Sequence, residues 1–266
     1  MQLIDTHCHI HDSEFLEKYD VGPDDLIANA SKSGVDTVVC VGTSVKSSQE
    51  AVDFCKSRGG CYCSLAIHPH EAADKSEEEL KEEFAQIAEI AQKSPKKLVA
   101  IGETGLDYYY HSDENIRKKQ ELLFRLHIEL ALKLKLPMIF HIRDAFDDFF
   151  RIVDEYDGVT GVVHSFTACE KELQGVINRG FMVGINGIMT FTKDLKQLEA
   201  AKKIPLQMLV IETDAPFLTP HPIRGTINEP KYVTLITQFL SELRGESQAI
   251  LAKQTTKNAK KLFQIN

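Results

Sequence analysis

The chain has 266 residues, 43% hydrophobic and 26% charged, with a formal net charge of −8. This is the composition of an ordinary globular protein. It excludes a nucleic-acid surface built on bulk positive charge, although bound cations can supply that charge locally. The length admits either two average domains or one β/α barrel of about 250 residues.

The apolar runs alternate in kind along the chain. A strand is expected at 3–7, then a helix at 24–34. Strand 37–42 is followed by helix 47–58, strand 61–67 by helix 76–93, and strand 98–102 by helix 114–135. Strand 137–142 precedes helix 145–156, strand 160–164 precedes helix 170–179, and strand 181–185 precedes helix 193–203. Strand 208–212 leads into a long loop over 215–230, and helices 230–243 and 246–263 close the chain.

Helix 114–135 carries Leu122, Leu126, Leu130 and Leu134 at a spacing of four, a stripe widened by Leu123 and His127. Asp113 is its expected N-cap, and Pro137 ends the segment. Ser76 followed by Glu79 reads as a capping box, with the acids of that first turn on a solvated face. Eight strand–helix alternations predict parallel strands with right-handed crossovers, and so a single (β/α)8 TIM barrel over residues 1–266. A doubly wound open sheet would carry a glycine-rich loop after its first strand, where this chain has Asp5-Thr6-His7-Cys8-His9.

Six cysteines without a CxxC pair predict reduced thiols and a cytoplasmic protein. Neither a basic, apolar leader nor an 18-residue apolar run is found, so no secretion and no membrane contact are expected. No obligate protein partner is evident.

The chemistry gathers at strand ends. Alternate residues share one face of a strand, so His7 and His9 can reach one ion. Imidazole suits zinc and other divalent metals. Glu103, after Ala100-Ile101-Gly102, has two oxygens and is the natural bridge of a binuclear site. His141 and His164 end the fifth and sixth strands. Asp214 closes the eighth, where it can bind a metal and take a proton from a water. Glu212, two residues earlier, either supports a ligand or pairs with a buried cation. His11 is read as a bystander.

The segments His7-x-His9, Gly102-Glu103-Thr104-Gly105-Leu106-Asp107, His141-Ile142-Arg143-Asp144-Ala145, His164-Ser165-Phe166 and Glu212-Thr213-Asp214-Ala215-Pro216 occur in that order. Together with Arg224-Gly225 and Asn228-Glu229-Pro230, they resemble the TatD family of metal-dependent hydrolases from residue 3 to about 233. The resemblance implies an amidohydrolase-type TIM barrel and a deoxyribonuclease with 3′–5′ exonuclease action on DNA, single-stranded or at 3′ ends. It also implies two divalent cations (Mg2+, Mn2+, Zn2+ or Ni2+). His7, His9 and Asp214 would hold one, His141 and His164 the other, and Glu103 would bridge them. The chain departs from the family pattern at Thr226 and Ile227, where basic residues are usual, and at Ser165-Phe166-Thr167-Ala168.

Within that pattern His68 is either a donor near the scissile phosphate or a structural hydrogen bond at the barrel mouth. Arg143 and Arg224 are the expected phosphate clamps, with Asp144 or Asp147 as the competing partners of Arg143. Tyr108, Tyr109 and Tyr110 either stack a base or pack within a loop. The catalytic set is thus Asp214, Glu103, His68 and Arg143, and the substrate-binding set Arg143, Arg224, His68 and Tyr108. The alternatives are a hydrolase of another ester or amide on the same scaffold (an aminoacyl-tRNA ester, a lactone or a phosphotriester) and a metal-stabilised binding protein. Glu103, standing where several such relatives carry a carboxylated lysine, favours the nuclease.

Overall fold

The computed structural model describes residues 2–93, 96–110 and 113–265; the ends of the expected 1–266 unit, residues 1 and 266, lie outside them. Eight parallel strands hydrogen-bond in sequence order: β1 (Leu3–Cys8), β2 (Val35–Val41), β3 (Cys61–Leu65), β4 (Leu98–Asp107), β5 (Met138–Arg143), β6 (Gly161–Val163), β7 (Met182–Ile185) and β8 (Leu209–Ile211). β8 returns to β1 through the Cys8–Ala215 bridge and the bonds His9 N to Ala215 O (2.7 Å) and Asp214 N to His7 O (2.8 Å). The sheet closes into a (β/α)8 barrel.

Between the strands run α1 (Ser13–Leu16), α2 (Pro23–Lys32), α3 (Val45–Lys56), α4 (Glu77–Lys93), α5 (Glu114–Leu134), α6 (Phe146–Val153), α7 (Glu170–Asn178) and α8 (Leu195–Lys203). After β8 come α9 (Val233–Arg244) and α10 (Gln248–Phe263). Ile4, Val39, Val41, Val99, Ile139, Val162 and Val210 fill the barrel's interior, and Ala259, Phe263 and Ile265 of the α10 segment pack onto them. A larger apolar layer lies between strands and helices.

Each expected helix is present with ends within three residues of the expected ones. The capping box forms as read, Ser76 N donating to Glu79 and Glu79 N to Ser76 Oγ, and Asp113 accepts from Asn115 N and Ile116 N. Three features differ from expectation. The helix α1 carries no apolar period long enough to read. The buried face of α5 is Gln120, Leu123, Phe124, His127, Ile128 and Ala131, with Leu130 at its margin; Leu122, Leu126 and Leu134 are only half buried. That face is rotated from the expected stripe because Gln120 and His127 are buried as hydrogen-bonding groups. β4 runs to Asp107 rather than stopping at 102, since Gly105 lets it lie against β5: a Cβ there would come 2.1 Å from His141 O, at a φ of +148°.

Two register shifts position the site. Asp5 pairs with Val38 and Cys8 with Cys40, so β1 carries one extra residue between them. Ile4 faces the interior, and the extra residue transfers that face to His7. In β4, Gly102 pairs with Ile139 and Thr104 with Phe140, leaving Glu103 as the extra residue of a bulge.

Gly105→Ala is expected to destabilise the fold by roughly 3 kcal/mol or more, read as a lower urea midpoint, because neither backbone can withdraw. His127 supplies a pH effect. Its Nδ1 donates to Leu123 O (2.7 Å) and its Nε2 accepts from Ile67 N (3.1 Å), and burial lowers its pKa from 6.5 to about 4. The unfolded chain therefore takes up this proton first. The contribution is complete above pH 6.5 and is lost as the pH falls toward 4, about 3 kcal/mol in all. Urea midpoints measured across that range should fall less steeply in His127→Gln than in the wild type.

Candidate metal centre

Seven side chains converge at the C-terminal mouth of the barrel: His7 in β1, His9 just after it, His68 after β3, Glu103 in β4, His141 in β5, His164 after β6 and Asp214 after β8. Glu103 is central and almost wholly buried. Its Oε2 lies 3.3 Å from His7 Nε2 and 4.0 Å from His9 Nε2. Its Oε1 lies 2.6 Å from His141 Nδ1, 3.0 Å from His164 Nε2 and 3.5 Å from His68 Nε2. Asp214 Oδ1 is 3.3 Å from His9 Nε2 and 3.5 Å from His7 Nε2. His7, His9 and Asp214 thus form one group with ligand spacing, and Glu103 joins His7 with His164 and His68 with His141 in others.

The donor set fits divalent cations by its hydrogen bonding. His9 Nδ1 donates to Val41 O (2.8 Å), His164 Nδ1 to Glu212 Oε1 (3.0 Å) and His141 Nε2 to Asp107 Oδ2 (3.0 Å). In each ring an acceptor fixes the outer nitrogen as a donor, so the inner nitrogen, once it gives up its proton, presents a lone pair to the centre. His7 Nε2 and His9 Nε2 face each other at 3.2 Å, a contact that a cation held by both would relieve. His7 stacks on His164 with ring centroids 3.9 Å apart.

The electrostatics are those of ionised carboxylates among imidazoles. Burial alone would raise Glu103, yet His164, His68 and His7 hold it well below the usual carboxylate range. Burial likewise opposes ionisation of Asp214, and the His9 hydrogen bond with His7 and His164 lowers it. Burial disfavours an imidazolium at His164, but Glu103 and Glu212 hold it well above the ordinary histidine value. Asp214 sits at a φ of +59°, a left-handed conformation that Asp tolerates, which turns the chain sharply after β8.

Several of the residues read in two ways have definite partners. Glu212 holds the His164 ring: its Oε1 accepts from His164 Nδ1 and from Ser165 N (2.6 Å), in space left by Gly184, whose Cβ would come 2.5 Å from Glu212 Oε2. His11 turns to Ser47 Oγ (3.2 Å) instead of the centre. Arg143 stacks on Tyr109 at 3.8 Å and reaches Tyr110 at 4.8 Å, and no ion pair with Asp144 or Asp147 forms among the described residues. It lines the cleft of about 620 Å3 that contains His9, His68, Glu103, His141, His164 and Asp214.

Two expectations need correction. Tyr108 is buried, its ring under the Arg117 guanidinium (4.3 Å) and its hydroxyl donating to Asp148 (3.1 Å), because β4 continues far enough to fold it inward. The exposed rings are Tyr109 and Tyr110, 58% and 59% accessible. Arg224 rests on Phe191 (3.7 Å), donates to Thr219 O (3.0 Å), and is not among the side chains lining the metal cleft.

Asp107 holds two of the imidazoles at this mouth. Its Oδ2 accepts from His141 Nε2 and from His70 Nε2 (2.8 Å), and its Oδ1 accepts from Tyr109 N (3.1 Å) and Tyr110 N (3.4 Å). The legible signal was its spacing from Glu103: positions 103, 105 and 107 alternate along one strand face.

A closed barrel with a carboxylate–imidazole centre at its C-terminal mouth defines a metal-dependent hydrolase. The family model described as "TatD related DNase" matches residues 4–264. An uncharacterised metal-dependent hydrolase of Bacillus subtilis, YabD, is 37% identical over 266 residues, 99% of this chain and 100% of that protein. The 3′–5′ ssDNA/RNA exonuclease TatD of Salmonella typhimurium is 31% identical over 249 residues, 91% of this chain and 93% of that one. The crystal structure of YjjV, a TatD homologue of Escherichia coli, superposes with a TM-score of 0.89 at 26% identity, covering 99% and 98% of the two chains. The chain belongs to the TatD family of metal-dependent hydrolases. No helix among the described residues is long and apolar enough to cross a membrane.

Asp107→Ala leaves His141 Nε2 without its acceptor. The folded variant is expected to bind Zn2+ or Mn2+ roughly 10- to 100-fold more weakly, measured by calorimetric titration of metal-stripped protein.

Proposed function

We propose that the protein is a deoxyribonuclease, acting as one hydrolase domain, that hydrolyses phosphodiester bonds from the 3′ ends of single-stranded DNA. The observation that carries this reading is the placement of Glu103. One of its oxygens faces His7 and the other faces His141 and His164, as a carboxylate bridging two cations requires. The exonuclease name of the Salmonella relative supports the choice of substrate. Six free cysteines support a reducing compartment such as the cytoplasm.

Two divalent cations held by His7, His9 and Asp214 and by His141 and His164, with Glu103 between them, would supply Lewis acidity and a water of lowered pKa. The chain's own groups complete the chemistry. Asp214 remains a carboxylate beside His7 and His9, and it accepts the proton of the attacking water. His68 Nδ1 accepts from His70 N (3.2 Å), so its Nε2 carries the hydrogen and donates into the cleft. Burial and the neighbouring His141 push His68 down to about 4, which keeps it a neutral donor at physiological pH. Arg143, held on Tyr109, presents a guanidinium to phosphoryl oxygens.

The test is a panel of single-stranded DNA, RNA, simple esters and aminoacyl esters, assayed with stripped protein and after adding Mg2+, Mn2+, Zn2+ or Ni2+. Re-metallated protein should release nucleotides from DNA 3′ ends, and Asp214→Ala should lose roughly 10²–10⁴-fold in kcat while keeping its fold. Turnover of esters or aminoacyl esters without cleavage of nucleic acid would overturn the reading. A folded Asp214→Ala with near-normal turnover would remove the general-base role.

A further inference from the structure

A second feature of the cleft is aromatic. Phe15 of α1 and Phe217 of the loop after β8 line the same cleft as His9, Glu103 and Asp214. Their centroids are 4.9 Å apart at 82°, and they lie 6.2 and 6.3 Å from the His9 ring. Phe217 is 37% exposed, so part of its ring is open to a ligand in the cleft. Lys18 Nζ stands 4.8 Å from the Phe15 ring and 5.0 Å from the Phe217 ring, and it forms no ion pair among the described residues. In a chain of net charge −8, a cation without an ion pair beside one exposed and one partly buried aromatic ring at this cleft is suited to an anionic, aromatic ligand.

The wall is held in place by the backbone. Phe217 N donates to Asp214 O (2.8 Å), so its position is indexed to the candidate base. Asn228 Nδ2 binds Phe217 O, and Asn228 O accepts from Tyr19 Oη (2.8 Å), which ties the loop to the segment after α1. The cleft is lined by Arg143 as well.

We propose that Phe15 and Phe217, with Lys18 above them, form a stacking subsite for the nucleobase adjoining the cleaved phosphodiester. This proposal rests on the nuclease reading. A base has an aromatic face to lay against Phe217, and the attached phosphate offers the negative charge that Lys18 meets. Stacking accepts any base, so the subsite confers preference for unpaired strands without sequence selectivity.

The experiment compares wild type, Phe217→Ala and Phe217→Tyr on oligothymidylates, intact or with an abasic residue on the 3′ or the 5′ side of the cleaved bond. On intact DNA, Phe217→Ala should raise KM roughly 5- to 100-fold with kcat little changed, and Phe217→Tyr should restore it. With the abasic residue on the stacked side, wild type and Phe217→Ala should share one KM. An unchanged KM on intact DNA would overturn the proposal, as would a KM difference that persists with both abasic substrates, since that marks a structural role. A wild type that cleaves no DNA with any metal would overturn the nuclease reading and this subsite with it. Active wild type with an indifferent Phe217 would remove the subsite alone.

Discussion

A buried carboxylate ringed by imidazoles is the constraint on which the mouth of this barrel depends. Glu103 is removed from water, and that burial is tolerated because four imidazole nitrogens lie within 3.5 Å of its two oxygens. The rings in turn need fixed orientations. Val41 O, Glu212 and Asp107 hold the outer nitrogens of His9, His164 and His141. The supporting acceptors come from β2, the end of β8 and the end of β4, so the centre is rigid only if the strands around it keep their register.

Closure of the barrel makes the centre possible. The last strand meets the first through Asp214 N to His7 O, and Asp5 accepts from Thr213 N (2.8 Å) and Thr213 Oγ1 (2.5 Å) across the same seam. Burial pushes the Asp5 carboxyl up to about 8 despite those bonds, which limits the negative charge placed beside His7. The seam sets residues from opposite ends of the chain beside each other and gives Asp214 its position between His7 and His9.

Much of this was legible in the sequence. Short β-branched runs alternating with amphipathic ones lead to eight strands and their helices, because one period places side chains on two faces of a sheet and the other on one face of a helix. His7, His9, Glu103, His141, His164 and Asp214 were legible as a group because each ends such a run, and in a parallel barrel all run ends point to one mouth. Tyr108 and the stripe of α5 were misread because a strand end and a helix rotation depend on contacts with neighbours. The bonds of Asp107 to His70 and His141, and the contact of Phe15 with Phe217, are not legible because they join residues distant in sequence.

The sequence by itself determined the period of each element and the chemical type of the groups at its end, since both are local properties of adjacent side chains. Only the tertiary structure decided which nitrogen of each ring faces inward, and that one extra residue in β1 and one in β4 turn His7 and Glu103 to the centre. It also decided that Arg143 faces the cleft while Arg224 rests outside it. Those outcomes are set by hydrogen bonds and packing between residues brought together only when the sheet closes.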